Sequence, residues 1–164
     1  MAKALTAVLS LLAVSATSFA DASIDAQLEL KPFQPESLAQ IEAAHKGQAF
    51  IAVIWSIDCP PCLKELALLQ QLKDQFPPGG LVLIAADSAE YTDSVQSFLN
   101  EVELNELDNW MFADSAPERL RYSIDPSWYG ELPRAYFYDK AHKRYAHSGS
   151  LKKEKLEQWL LATQ

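Results

Sequence analysis

A chain of 164 residues, 49% hydrophobic and 22% charged, has room for one globular domain beside a leader, and a core that needs no metal or disulfide staple. That balance excludes long-range disorder. A formal charge of −8 repels phosphate backbones and anionic lipid, which excludes nucleic acid as a partner class and charge-driven membrane binding with it.

The first residues read as a secretory leader. Met1-Ala2-Lys3 gives a short positive end, residues 4–14 are apolar except for Thr6 and Ser10, and Ser18 and Ala20 offer a cleavage site. This predicts a signal peptide over residues 1–20 and one domain over residues 21–164. The apolar run is shorter than a hydrocarbon core requires, so no membrane insertion is expected after cleavage. Export also bears on the thiols. A structural disulfide gains stabilisation from the loop it closes, yet the only two cysteines, Cys59 and Cys62, are two residues apart. Reactivity explains such a pair better than stability does.

In chain order, residues 24–30 alternate and are closed by Pro32 and Pro35, which predicts an edge strand or extended arm. Leu38, Ile41 and Ala44 have helical spacing, ended by Gly47. Residues 49–54 form an apolar run suited to a buried strand. After Cys59-Pro60-Pro61-Cys62 comes a helix with Leu63, Leu66, Leu69 and Leu72 along one side, stopped at Pro77-Pro78-Gly79-Gly80. A second buried strand is predicted over 81–86, a helix over 89–104, a short strand over 110–113 and a helical turn over 117–122. The segment 125–132 is rich in turn residues and aromatics. Residues 134–138 and 144–147 read as a hairpin turning at 139–142. Ser150 is predicted to cap a last helix carrying Leu151, Leu156, Trp159 and Leu160. This order predicts an α/β fold with a mixed central sheet flanked by helices.

A buried strand running straight into Cys-x-x-Cys and a helix is a specific arrangement. It puts Cys59 at a helix N-terminus, where unpaired N–H groups and the macrodipole favour a thiolate. Cys62, one turn in, is placed to resolve a mixed disulfide. Neither Pro60 nor Pro61 has an N–H to offer, which leaves the Cys62 amide and the helix field. No metal site is expected: zinc wants four ligands, and His45, His142 and His147 show no metal-type spacing with the pair. Covalent haem attachment needs His after the second cysteine, where this chain has Leu63. The sulfur pair carries both electrons, so no cofactor is expected.

These elements resemble the thioredoxin superfamily, and more closely its exported TlpA/ResA-like branch of thiol–disulfide oxidoreductases, over residues 35–162. Trp55 before the dithiol, Cys59-Pro60-Pro61-Cys62, Glu65 and Leu132-Pro133 ahead of the hairpin carry the resemblance. The strand and helix between Leu81 and Ala113 are similar to the insertion of that branch. The resemblance implies a thioredoxin-like fold, a cis Pro133 against the dithiol, and a Leu132 backbone open to pairing with a substrate polypeptide. It gives Glu65 influence over the thiols, although a solvated surface acid is the alternative reading of the same position. Trp55 is expected to pack beneath the active-site turn. Trp128 and Tyr129 form either an apolar substrate rim facing the dithiol or ordinary loop packing. Arg119, Arg121 and Arg134 are expected to be solvated. Thioredoxin's buried acid is Val53 here, and the residue before Cys59 is Asp58, whose charge opposes a thiolate.

The reading that results is a periplasmic enzyme exchanging the Cys59–Cys62 disulfide with protein thiols, as a client-specific reductase of the cytochrome c or copper-site maturation type. Protein clients with thiols or disulfides and a membrane electron donor are the implied partners. A disulfide-donating oxidase or isomerase of the same fold, a copper(I) chaperone using the two sulfurs, and an inactive scaffold are the rivals; Met111 is the only methionine left after the leader, which counts against copper.

Overall fold

The computed structural model describes residues 30–163. The predicted signal peptide and residues 24–29 of the predicted arm lie outside the described residues.

Six strands form one sheet in the order β1-β4-β3-β2-β5-β6. They are β1 (Lys31–Phe33), β2 (Phe50–Trp55), β3 (Leu81–Ala85), β4 (Asp108–Phe112), β5 (Arg134–Tyr138) and β6 (Arg144–Ser148). The first four are mutually parallel. β5 runs antiparallel to β2, and β6 antiparallel to β5. The helices are α1 (Ser37–Ala44), α2 (Pro60–Leu72), α3 (Thr92–Glu101), α4 (Pro117–Ile124) and α5 (Lys153–Thr163).

β2 is buried along its whole length because helices cover both faces of the sheet. Successive side chains point to opposite faces. Ile51, Val53 and Trp55 join Leu66 and Leu69 of α2, Val95 and Leu99 of α3, and Leu156 of α5 in one core. Phe50, Ala52 and Ile54 join Leu38 and Ile41 of α1 and Leu120 and Ile124 of α4 in the other. The leucine stripe on α2 is thus the contact that lays this helix on the sheet.

Three expectations are corrected. The first described strand is β1 at Lys31–Phe33, with Pro32 inside it; an edge strand tolerates a residue lacking an N–H. α4 continues to Ile124, because Leu120 and Ile124 both reach the second core. Ser150 does not cap the last helix: α5 starts at Lys153, and the N–H of Leu151 is donated instead to Glu65. The hairpin turn is closed by Asp139, whose Oδ1 accepts from the N–H groups of Ala141 and Lys143 at 2.9 and 2.8 Å.

Leu66 is fully buried between α2 and the sheet. Leu66→Ala is expected to lower the unfolding free energy by about 3 kcal/mol, read from urea denaturation with an unchanged slope. A loss below about 1 kcal/mol would show that the α2–sheet contact does not hold the domain together.

Candidate active site

The parallel strands β2 and β3 end on the same edge of the sheet, and α2 starts there. Between Trp55 and α2 the chain crosses Ser56, Ile57 and Asp58 to reach Cys59, which is the N-cap of α2. Proline occupies the first two helical positions, where a missing N–H costs nothing. The first amide inside the helix is therefore that of Cys62, and it donates to Cys59 Sγ at 3.3 Å. It also donates to the Cys59 carbonyl at 2.9 Å. The two sulfurs form a disulfide. They are not equivalent: Cys59 is half-buried, whereas Cys62 is 0% exposed and part of the first core. An incoming sulfur can reach only Cys59.

Three carboxylates surround this element. Asp58 is exposed on the turn beside Cys59. Glu65 lies three residues after Cys62, on the same side of α2, and is only 3% exposed. Its Oε2 accepts from the Leu151 N–H at 2.6 Å, while buried Oε1 has no partner. The surface-acid alternative for Glu65 is overturned. Burial raises its pKa to about 7, with the Leu151 hydrogen bond pulling the other way.

The third carboxylate escaped the sequence reading. Asp87, two residues beyond β3, is 6% exposed. Its Oδ1 accepts from Ser56 Oγ at 2.7 Å, and both of its oxygens lie 3.2 Å from the Ile57 N–H. Burial raises its pKa, the bonds from Ser56 and Ile57 oppose that, and the charge of Asp58 adds to it. The available signal was an acid at the carboxyl end of a buried parallel strand, where α/β sheets place their sites.

The Leu132–Pro133 peptide is cis. β5 begins at Arg134, which pairs with Ile54, so one further step of that register sets Pro133 across from Trp55 at the dithiol end. Pro133 is buried, and Leu132 is half-buried against both cores. The Pro133 carbonyl accepts from Gly149 N–H at 2.9 Å.

Arg134 is not solvated as expected. It is 8% exposed, and its guanidinium donates to Asp125 at 2.9 Å, to Glu131 at 3.0 Å and to Ser148. Tyr136 OH donates to the same Asp125 oxygen at 3.1 Å. Burial alone would raise Asp125; bonds from Ser127, Tyr136 and Arg134 outweigh it and bring the carboxyl down to about 2. This cluster ties the 125–131 loop to the start of β5, directly behind the cis bond.

The two loop aromatics part company. Trp128 is buried in the second core, and its indole N–H donates to the Glu131 carbonyl at 2.9 Å; it is packing, not rim. Tyr129 is 94% exposed. Trp55 is buried at the end of β2 and packs on Phe98, ring centroids 5.7 Å apart. Among the described residues no three His, Cys, Asp or Glu side chains gather as a metal site, and no helix is long and apolar enough to cross a membrane.

No family model matches the chain. It is 27% identical over 117 residues to the thiol-disulfide oxidoreductase ResA of Bacillus thuringiensis subsp. konkukian, covering 70% of this chain and 63% of that protein. It therefore spans less than two thirds of the relative's length. It is 26% identical over 121 residues to the sporulation thiol-disulfide oxidoreductase A of Bacillus subtilis, covering 73% of this chain and 70% of the relative. Among solved structures, a thioredoxin-family thiol:disulfide interchange protein from Chlorobium tepidum superposes with a TM-score of 0.61 at 18% identity, over 74% of this chain and 83% of its own. A secreted Mycobacterium tuberculosis disulfide oxidoreductase homologous to DsbE gives 0.58 at 19%, over 73% and 85%. The chain is similar in sequence to ResA-type thiol-disulfide oxidoreductases, and its fold is thioredoxin-like. In this thioredoxin-like fold α3 and β4 are the additional helix and strand, and β4 wedges between β3 and β1.

The ionisation of Glu65 has a measurable consequence. Unfolded, it loses its proton near its ordinary 4.5; folded, it holds the proton to about 7. Its contribution to stability is complete below about pH 4.5 and is lost as pH rises through 7, by about 3 kcal/mol. Comparing oxidised wild type with Glu65→Gln by denaturant unfolding between pH 4.5 and 8 should show the wild type losing that amount relative to the variant. Parallel pH profiles would contradict a buried, titrating Glu65.

Proposed function

We propose that this chain is a periplasmic thiol–disulfide oxidoreductase acting as a client-specific reductase. The observation that carries the reading is the unequal pair: a reachable Cys59 at the start of α2, and a sealed Cys62 with a buried carboxylate one turn behind it. The curated relatives named as thiol-disulfide oxidoreductases support the same chemistry.

In the reduced chain the Cys59 thiolate, favoured by the Cys62 amide and the helix field, attacks a client disulfide. A Cys59–client bond forms, the client disulfide breaks, and one client sulfur leaves as thiolate. Cys62 then gives up its proton and attacks Cys59 Sγ. The mixed disulfide breaks, the second client sulfur leaves, and two electrons have passed to the client. Glu65 is the proton acceptor, its pKa set near neutrality by burial. The half-buried Leu132 and the buried Pro133 form the backbone platform for the client strand, with Tyr129 beside it as the exposed aromatic contact. Trp128 and Trp55 support this platform and turn from within.

Electrostatics favours the reductive direction. Two prolines remove amides that would stabilise the thiolate, and Asp58 opposes it. A nucleophile with a less acidic thiol gives a more reducing couple, opposite to a strong oxidant near about −120 mV and on the side of thioredoxin near about −270 mV. Periplasmic placement rests on the leader-like residues 1–20. Clients in cytochrome c or copper-site maturation and a membrane electron donor fit a client-specific reductase of this branch.

A reduction potential below about −200 mV is expected, together with capture of a client as a mixed disulfide by Cys62→Ser and no capture by Cys59→Ser. A potential above about −150 mV would reverse the direction. Failure of reduced Cys62→Ser to form a mixed disulfide with any protein carrying a disulfide would remove the activity.

A further inference from the structure

We infer that Asp87 is the positioning residue for Cys59: its carboxylate holds the Ser56–Asp58 turn that presents the attacking sulfur at the start of α2. The inference rests on the reading of Cys59 as the nucleophile.

Regular hydrogen bonding ends with β2 at Trp55, whose carbonyl takes its last ladder bond from Ala86 N–H at 2.8 Å. The nucleophile lies four residues further on. Four donors of the connection find their partners outside sheet and helix: the Ser56 hydroxyl and the N–H groups of Ile57, Asp58 and Cys59. Each has a partner, and together they form a single chain of bonds. The Ser56 hydroxyl donates to Asp87 Oδ1 at 2.7 Å, and the Ile57 N–H to both Asp87 oxygens at 3.2 Å. The Asp58 N–H donates to Ser56 Oγ at 3.2 Å. The Cys59 N–H donates to the Ser56 carbonyl at 3.2 Å. Every link leads to Asp87, directly or through Ser56.

A carboxylate is suited to this position because it accepts from several donors at once and is itself fixed by β3. Such a group limits where the N-cap sulfur sits, and placement of a nucleophile counts heavily in a displacement that needs three sulfurs in line. The residue touches no reacting atom, so its effect is exerted through the turn. Around the sulfur the other charged groups are Asp58 on the turn, Glu65 on α2 and the exposed Lys64 on the outer side of α2. The test is therefore run where ionisation does not limit the rate.

The experiment uses the full chain carrying Cys62→Ser, so that Cys59 is the sole thiol. The probe is dithiobis-nitrobenzoate, whose attack by the Cys59 thiolate forms one mixed disulfide and releases one coloured aromatic thiolate. Rates are measured at alkaline pH on the plateau of the pH profile. Adding Asp87→Ala is expected to slow the plateau rate about tenfold. Adding Asp87→Asn, which keeps an oxygen to accept from Ser56 and Ile57, is expected to restore it to within about twofold of the parent. An alanine variant with native circular dichroism and the parental rate overturns the proposal, as does an asparagine variant as slow as the alanine one. Should Asp87→Ala fail to fold, Ser56→Ala cuts the same chain of bonds; a rate about threefold below the parent is expected, and the parental rate overturns the proposal. A parent that does not react with the probe at all removes Cys59 as nucleophile, and this inference with it. A reacting parent matched by its variants removes the inference alone.

Discussion

Two consecutive prolines at the start of α2 leave one backbone amide, that of Cys62, in reach of the N-cap sulfur. The rest of the site is arranged around that constraint. A helix N-terminus ordinarily offers several unpaired N–H groups to an anion. Here the prolines fix the helix entry and remove two of the donors. The sulfur is held where a helix begins, with the Cys62 amide as its backbone donor.

The carboxylates follow the same logic from different elements. Asp58 is exposed on the turn beside Cys59. Asp87 is buried and occupied by donors from the turn. Glu65 is buried with one oxygen satisfied by Leu151 and the other free. Glu65 keeps spare accepting capacity on Oε1, whereas both oxygens of Asp87 are taken up by the turn. The Leu151 contact also joins the dithiol helix to the segment ahead of α5, so the C-terminal end of the domain is part of the active end rather than a remote cover.

Most of the architecture was legible from sequence because its signals are local. The apolar runs of β2 and β3, the leucine stripe of α2 and the strand–dithiol–helix order each declare themselves within about fifteen residues. Glu65 was visible as a position, but spacing alone could not separate a buried acid from a solvated one; the docking of Leu151 decides it. Arg134 was misjudged because its partners come together only when the 125–131 loop folds back on the start of β5 and the hairpin adds Ser148. Trp128 and Tyr129 are adjacent and similar in composition, yet one fills the second core and the other stands in solvent, since nothing in an irregular loop fixes which way a side chain turns. Asp87 was missed for a related reason: its partners lie on the neighbouring strand's exit, about thirty residues away, and no periodicity links the two.

The rims of the sheet are both blunted. β1 is three residues long and carries Pro32, while β6 bears exposed Arg144 and Tyr145 beside Lys143. Proline withholds a donor, and charged or bulky residues make a poor template for a stray extended chain. Recruitment of an extended chain onto an open rim seeds fibrillar aggregates. Blunted rims disfavour that encounter.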